Sequence, residues 1–240
     1  MPSPTMPEDL APFEVFPGRE LVAGRPLVAH LTGRRFDALL DGAGYAKPYD
    51  PGFGKGMVKT LSYLLSVLGA SFGFAEQTEL SLFAIAGGGD ARRLLSRIAG
   101  EASGKLSLTL GMVATFETRL YQLEDLELCV EYFRWRHAVT QTRAVDRYCE
   151  FVLAQAGTEA SAAERILATL RPEDKIELLH QNGLEFQQVP AWQRHGAAIA
   201  LHAGAPVEDG SDEAPARLVV DLNLPDEGDF GQYVRPLLGA

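Results

Sequence analysis

Apolar and polar positions change period along the chain, and the changes mark its elements. "PLVAHL" is an apolar run that predicts a buried strand ending near Thr32 and Gly33. "RRFDALLDGAGY" carries a short helix that Gly42 and Gly44 end. "KPYDPGFG" reads as a loop, because Pro48 and Pro51 interrupt any regular element. In "KGMVKTLSYLLSVLG" apolar residues recur at helical spacing up to Gly69. "SFGFAEQTELSLFAI" reads as two strands joined by a polar tip at Glu76 to Thr78. After the turn "GGGD", an amphipathic helix begins with Asp90 placed to cap it. "VATFETRLYQL" alternates as a fourth strand, and a long helix runs from about Glu124 to Gln155.

The order β-α-α-β-β-α-β is a split βαβ arrangement. It predicts an α+β fold: a ferredoxin-like, polymerase-palm sheet, antiparallel, with helices on one face. Two shorter helices, a loop and further strands at "GAAIALH" and "ARLVVDLNL" make a mainly helical C-terminal portion. The expected boundaries are an N-terminal extension over 1–25, a palm-like domain over 26–156 and the C-terminal portion over 157–240. In palms, metal-binding carboxylates sit at the end of the first strand and at the tip of the central hairpin. Here those places hold Thr32 and Thr78.

Composition narrows the function classes. At 240 residues and 46% hydrophobic, the chain can bury one substantial core. No apolar run approaches the roughly 20 residues that span a bilayer. The N-terminus lacks the basic and apolar regions of a signal peptide, so a cytoplasmic location is expected. Cys129 and Cys149 form no C-x-x-C pair and are expected as buried thiols. The net charge of −10 argues against indiscriminate nucleic-acid binding, and no DNA partner is expected. Locally basic stretches such as "ARRLLSR" and "YFRWRH" still allow a basic groove. The acidic "VEDGSDEAP" has no functional reading.

"HLTGRRF", "AKPYD", "QTELSLF", "AGEASGKLSL", "YFRWRHAV" and "GLEFQQVPAWQRHG" occur in the order and at the spacings of a known family. Together they resemble the histidine-tRNA guanylyltransferase family, most of all its bacterial and archaeal guanylyltransferase-like branch. The resemblance runs from about residue 26 to the end. It implies a palm, usually tetrameric, that adds nucleotides to a tRNA 5′ end in the 3′-to-5′ direction, with GTP or ATP and Mg²⁺ through two-metal chemistry.

The departures fall on the chemistry. The family turn Asp-Gly-Arg is Thr32-Gly33-Arg34 here, and the hairpin tip Ser-Asp-Glu is Gln77-Thr78-Glu79. Gln141 and Arg143 take the places of a His and an Asn on the long helix. Mg²⁺ prefers charged oxygen ligands, so two hydroxyls in place of two carboxylates imply a rate loss of at least about a thousandfold. Glu76 and Glu79 are the candidate substitute carboxylates; no metal is otherwise expected. The resemblance keeps Gly33, Arg34, Phe36, Lys47, Asp50, Gln77 and Arg93 as candidate nucleotide contacts. Two readings follow: a tRNA 5′-end nucleotidyltransferase with impaired catalysis, or an inactive pseudoenzyme that binds RNA or nucleotide. The second would act within a dimer or tetramer, or beside an active paralogue.

Overall fold

The computed structural model describes residues 7–8, 10–202 and 217–239; the acidic "VEDGSDEAP" lies outside them. Its elements in chain order are β1 (Glu14–Val15), β2 (Glu20–Leu21), β3 (Pro26–Gly33), α1 (Phe36–Gly42), α2 (Pro51–Leu68), β4 (Phe72–Ala75), β5 (Glu79–Ile85) and β6 (Gly89–Asp90). There follow α3 (Ala91–Leu110), β7 (Phe116–Gln122), α4 (Leu126–Gln155), α5 (Ala160–Thr169), α6 (Pro172–Gln181), α7 (Ala191–His195), β8 (Ala197–His202), β9 (Arg217–Asp221) and α8 (Glu227–Leu238).

Among the described residues the main sheet has the order β1-β7-β3-β5-β4-β8-β9, with every neighbouring pair antiparallel. The four inner strands β7-β3-β5-β4 form the expected split βαβ unit. Strand alternation then assigns the faces. Leu27, Ala29 and Leu31 of β3 and Leu80 and Leu82 of β5 pack with Phe53, Met57 and Leu61 of α2 and Ile98, Ala102 and Leu106 of α3.

Helices on one face is thus correct for α2 and α3, but the other face is covered too. Val28, Phe72, Phe74 and Phe83 pack against Tyr132 and Phe133 of α4 and Phe230 and Val234 of α8. Burying both faces explains why β3 reads as a continuous apolar run rather than an alternating one. The second half of α4 carries a further cluster, in which Tyr148 and Cys149 meet Leu167 of α5 and Leu179 of α6.

One local expectation needs correction. The stretch 51–54 is the first turn of α2, not loop. Pro51 occupies the opening helical position, where its missing N–H costs nothing. The Asp50 carboxylate caps the turn, accepting from Phe53 N–H at 2.9 Å. Residues 227–238, to which the sequence reading assigned no element, form a full helix, α8, although Gly228, Gly231 and Pro236 weaken its propensity. Burial of Phe230, Val234 and Leu238 against α4 stabilises it instead. Asp90 caps α3 as expected, accepting from Arg92 N–H at 2.8 Å. Both cysteines are buried, and that burial pushes their thiols up to about 12.

Candidate functional site

The end of β3 and the tip of the β4–β5 hairpin meet side by side. Thr32 stands opposite Glu79 in the β3–β5 register. The Gly33 N–H donates to the Thr78 carbonyl at 2.8 Å, and the Arg34 N–H donates to the Thr115 carbonyl at 2.8 Å. The turn is tight: a Cβ on Gly33 would lie 2.2 Å from the Phe36 ring. Arg35 follows in the left-handed region at φ 54°, a conformation seldom held by a non-glycine residue. Gly33→Ala is expected to cost roughly 1–3 kcal/mol through forced repacking of Phe36, measured as a lower denaturation midpoint. An unchanged midpoint would contradict this turn.

On the sheet face beneath α4, polar side chains form one connected network. Ser81 Oγ and Tyr132 Oη lie 2.9 Å apart, and Tyr132 Oη lies 2.9 Å from His30 Nδ1. His30 Nε2 faces Thr32 Oγ1 at 3.2 Å and Glu79 Oε2 at 3.4 Å. The other Glu79 oxygen accepts from Arg143 Nη1 at 2.9 Å, while Arg136 donates to Oε2. Glu76 Oε1 accepts from the same Arg143 nitrogen at 2.7 Å and has Arg136 at 3.9 Å. The Thr78 and Thr140 hydroxyls point at the two Glu76 oxygens, each at 3.4 Å. Arg136, Glu76 and Glu79 are all buried.

Two carboxylates against two guanidiniums leave this network neutral without help, given a neutral His30. Burial and the charge of Arg136 both hold the His30 imidazole below its ordinary range, outweighing Glu79. A neutral ring fits the distances if Nδ1 accepts from Tyr132 and Nε2 donates toward Glu79 and Thr32. Burial alone would raise the Glu79 carboxyl. The His30 contact and the charges of Arg136 and Arg143 reverse this and hold it well below the usual carboxylate range.

These residues do not fit a pair of Mg²⁺ ions. Thr32 and Thr78 offer neutral oxygens, and the remaining carboxylates, Glu76 and Glu79, are held by arginines. The described residues contain no group of three or more Asp, Glu, His or Cys placed to hold a metal. A dication would have to displace guanidiniums of the same sign from buried carboxylates. The arrangement therefore suits a static, charge-balanced core or an anion-facing surface better than metal-assisted transfer.

The other candidate residues are dispersed. Gly33 and Arg34 lie at the turn, where Arg34 Nε pairs with Glu117 at 3.2 Å on the surface. Phe36 is core, edge-on to Phe53 and Phe116 at 5.7 and 5.1 Å. Lys47 pairs with Asp41 at 2.7 Å in an exposed loop, and Asp50 is occupied as the α2 cap. Gln77 lies at the hairpin tip beside the network. Arg93 is exposed on α3, across the sheet from it. Gln141 faces His195 Nδ1 at 2.8 Å rather than joining the network.

His30, Tyr132 and Arg136 were not among the candidates. A signal for the last two exists in the sequence: Tyr132, Arg136, Thr140 and Arg143 fall at spacings of four, four and three, one face of a helix. A face carrying two arginines but buried on a sheet requires two buried anions opposite it. Glu76 and Glu79 supply them.

The fold defines a class: an antiparallel palm roofed by a long helix. Known structures share it. A bacterial tRNA(His) guanylyltransferase (Thg1)-like protein in complex with ATP superposes with a TM-score of 0.73 at 20% identity, covering 92% of this chain and 93% of that one. The bacterial Thg1-like protein in complex with GTP gives a TM-score of 0.70 at 20% identity over the same shares of each chain. The tRNA(His) guanylyltransferase of Saccharomyces cerevisiae gives 0.69 at 16% identity, covering 75% of this chain and 87% of that one. No family model matches the sequence, and no curated protein matches it.

Proposed function

We propose that the chain is a tRNA-His guanylyltransferase-like palm protein that binds nucleotide or a tRNA end without performing two-metal nucleotidyl transfer. The observation that carries this reading is the closure of Arg136 and Arg143 on Glu76 and Glu79. Residual 5′-end transfer would require both carboxylates to leave these arginines and take up metal without Thr32 or Thr78 adding charge. The ATP and GTP complexes of the bacterial neighbours support retained nucleotide binding. The S. cerevisiae neighbour's name supports tRNA as the partner class. The subunit would act in a self-assembled oligomer or beside an active paralogue. No described helix is long and apolar enough to cross a membrane.

The test follows labelled GTP at the 5′ end of a truncated, 5′-activated tRNA, with Mg²⁺ and then Mn²⁺. No incorporation is expected, while tRNA or GTP binding by filter retention should survive EDTA. Incorporation abolished by Glu79→Gln would overturn the proposal. Thr32→Asp with Thr78→Asp adds two carboxylates beyond the two that Arg136 and Arg143 balance, and incorporation by that variant alone would mark an intact scaffold that lacks only its metal carboxylates.

A further inference from the structure

The helices on one sheet face carry a charge opposite to that of the chain. α2 and α3 cover the β3–β5 sheet, and between them they hold six cations: Lys55, Lys59, Arg92, Arg93, Arg97 and Lys105. Their one acid is Glu101, so six cations against one anion give the pair a charge of +5. The whole chain stands at −10, which leaves −15 on everything else. An ordinary solvated surface mixes the two signs; this one separates them.

Four of the cations are ordered along the seam between the helices. Lys55, Lys59, Tyr63 and Val67 recur every four residues on α2, one stripe of a helix. α3 runs antiparallel beside that stripe. Lys105 Nζ sits 5.4 Å over the Tyr63 ring, and Arg97 Nη2 donates to the Val67 carbonyl at 2.8 Å. The track is about 18 Å long, the rise of twelve helical residues. Lys55, Lys59 and Arg97 are exposed, and none of the four cations has an ion-pair partner among the described residues. Glu101 does not neutralise them, being turned to the Tyr63 hydroxyl at 2.6 Å.

We infer that this seam docks the phosphate backbone of an RNA, on the sheet face opposite the Arg–Glu network. The inference rests on the RNA half of the proposed function and adds where the body of the nucleic acid lies. Phosphate contacts need exposed cations and carry no sequence information. The seam has no free ring on which a base could stack, because Tyr63 is engaged by Lys105 and Glu101. It therefore positions an RNA without reading it. The net negative remainder of the chain disfavours phosphates and confines them to this face.

The intact chain is titrated with a labelled tRNA-His transcript between about 50 and 200 mM salt. Lys55→Gln/Lys59→Gln and Arg97→Gln/Lys105→Gln should each flatten the slope of log affinity against log salt by about 1.4–1.8, the share of two phosphates. All four changes together should weaken binding at least about tenfold at the low-salt end. The control pair Arg165→Gln/Arg217→Gln removes as much exposed charge from α5 and β9 and should leave the slope unchanged. Lys55 and Lys59 make no hydrogen bond among the described residues, so that pair is free of folding risk. An unchanged slope in either seam pair, or an equal loss in the control pair, overturns the inference while leaving tRNA binding itself intact. A parent chain that binds no tRNA overturns it together with the RNA reading. Poly-glutamate bound more tightly than tRNA at equal charge would assign the seam to an acidic protein and overturn it as well.

Discussion

Arg136→Met is expected to lower stability by about 3–5 kcal/mol, the cost of stranding a buried charge. For a chain of this size that is a fall of roughly 6–20 °C in melting temperature. Arg136 is 2% exposed and donates to Glu79, itself 7% exposed. Without it, Glu79 keeps Arg143 at 2.9 Å and the His30 contact, which limits the damage without cancelling it. The double variant Arg136→Met, Glu79→Leu removes both charges and should recover much of the loss, since apolar replacement of a whole buried pair is often neutral. Urea denaturation of both singles and the double gives the coupling directly. A single variant as stable as the parent would show that the network is not charge-balanced in the folded state.

The same network explains what was legible in the sequence. The palm order followed from hydrophobic periods and turn residues alone, because β3, the hairpin and α3 each carry local signals that agree with the tertiary fold. Where local and tertiary demands disagreed, the reading failed. Pro51 looked like a breaker and is a helix start, because the same residue serves both roles and Asp50 decides between them. The α8 helix was hidden by its glycines and Pro236, its stability coming from α4.

At the site, the sequence shows Thr32 and Thr78 where the resemblance implies carboxylates, but the arginine partners of Glu76 and Glu79 were not legible. Glu76 and Glu79 were considered as metal ligands because they flank Thr78 in sequence. Their arginine partners are between 57 and 67 residues away, at positions 136 and 143, and only the packing of α4 on the sheet brings the charges together. Under the proposed function, neutral hydroxyls at Thr32 and Thr78 and cations opposite Glu76 and Glu79 are two halves of one electrostatic arrangement. Buried Glu76 and Glu79 would otherwise be uncompensated anions; Arg136 and Arg143 neutralise them.

Acid should destabilise the fold from about pH 6.5 downward. His137 is fully buried, its ring stacked on Phe230 at 4.1 Å and on His195 at 5.4 Å, and neither ring nitrogen has a hydrogen-bond partner among the described residues. Burial first, then the nearby His195, lower its pKa to about 3. Between pH 6.5 and 3 the unfolded chain therefore binds a proton that the folded chain refuses, and stability rises with pH across that window. Each such group contributes a slope of about 1.4 kcal/mol per pH unit. His30 is lowered in the same direction by burial and Arg136. Glu79 adds to the loss below its ordinary carboxylate range, because its folded form stays ionised where the unfolded one is protonated. Glu150, raised by burial, works the opposite way and offsets a part of this. His137→Leu removes one titrating site and its unpartnered nitrogens, so the slope of unfolding free energy against pH should flatten by up to about 1.4 kcal/mol per unit between pH 6 and 4. Chemical denaturation at several pH values measures it. An unchanged slope would mean that His137 takes up its proton in the folded state, and that the α4–α8 contact around Phe230 is open enough to hydrate a charge.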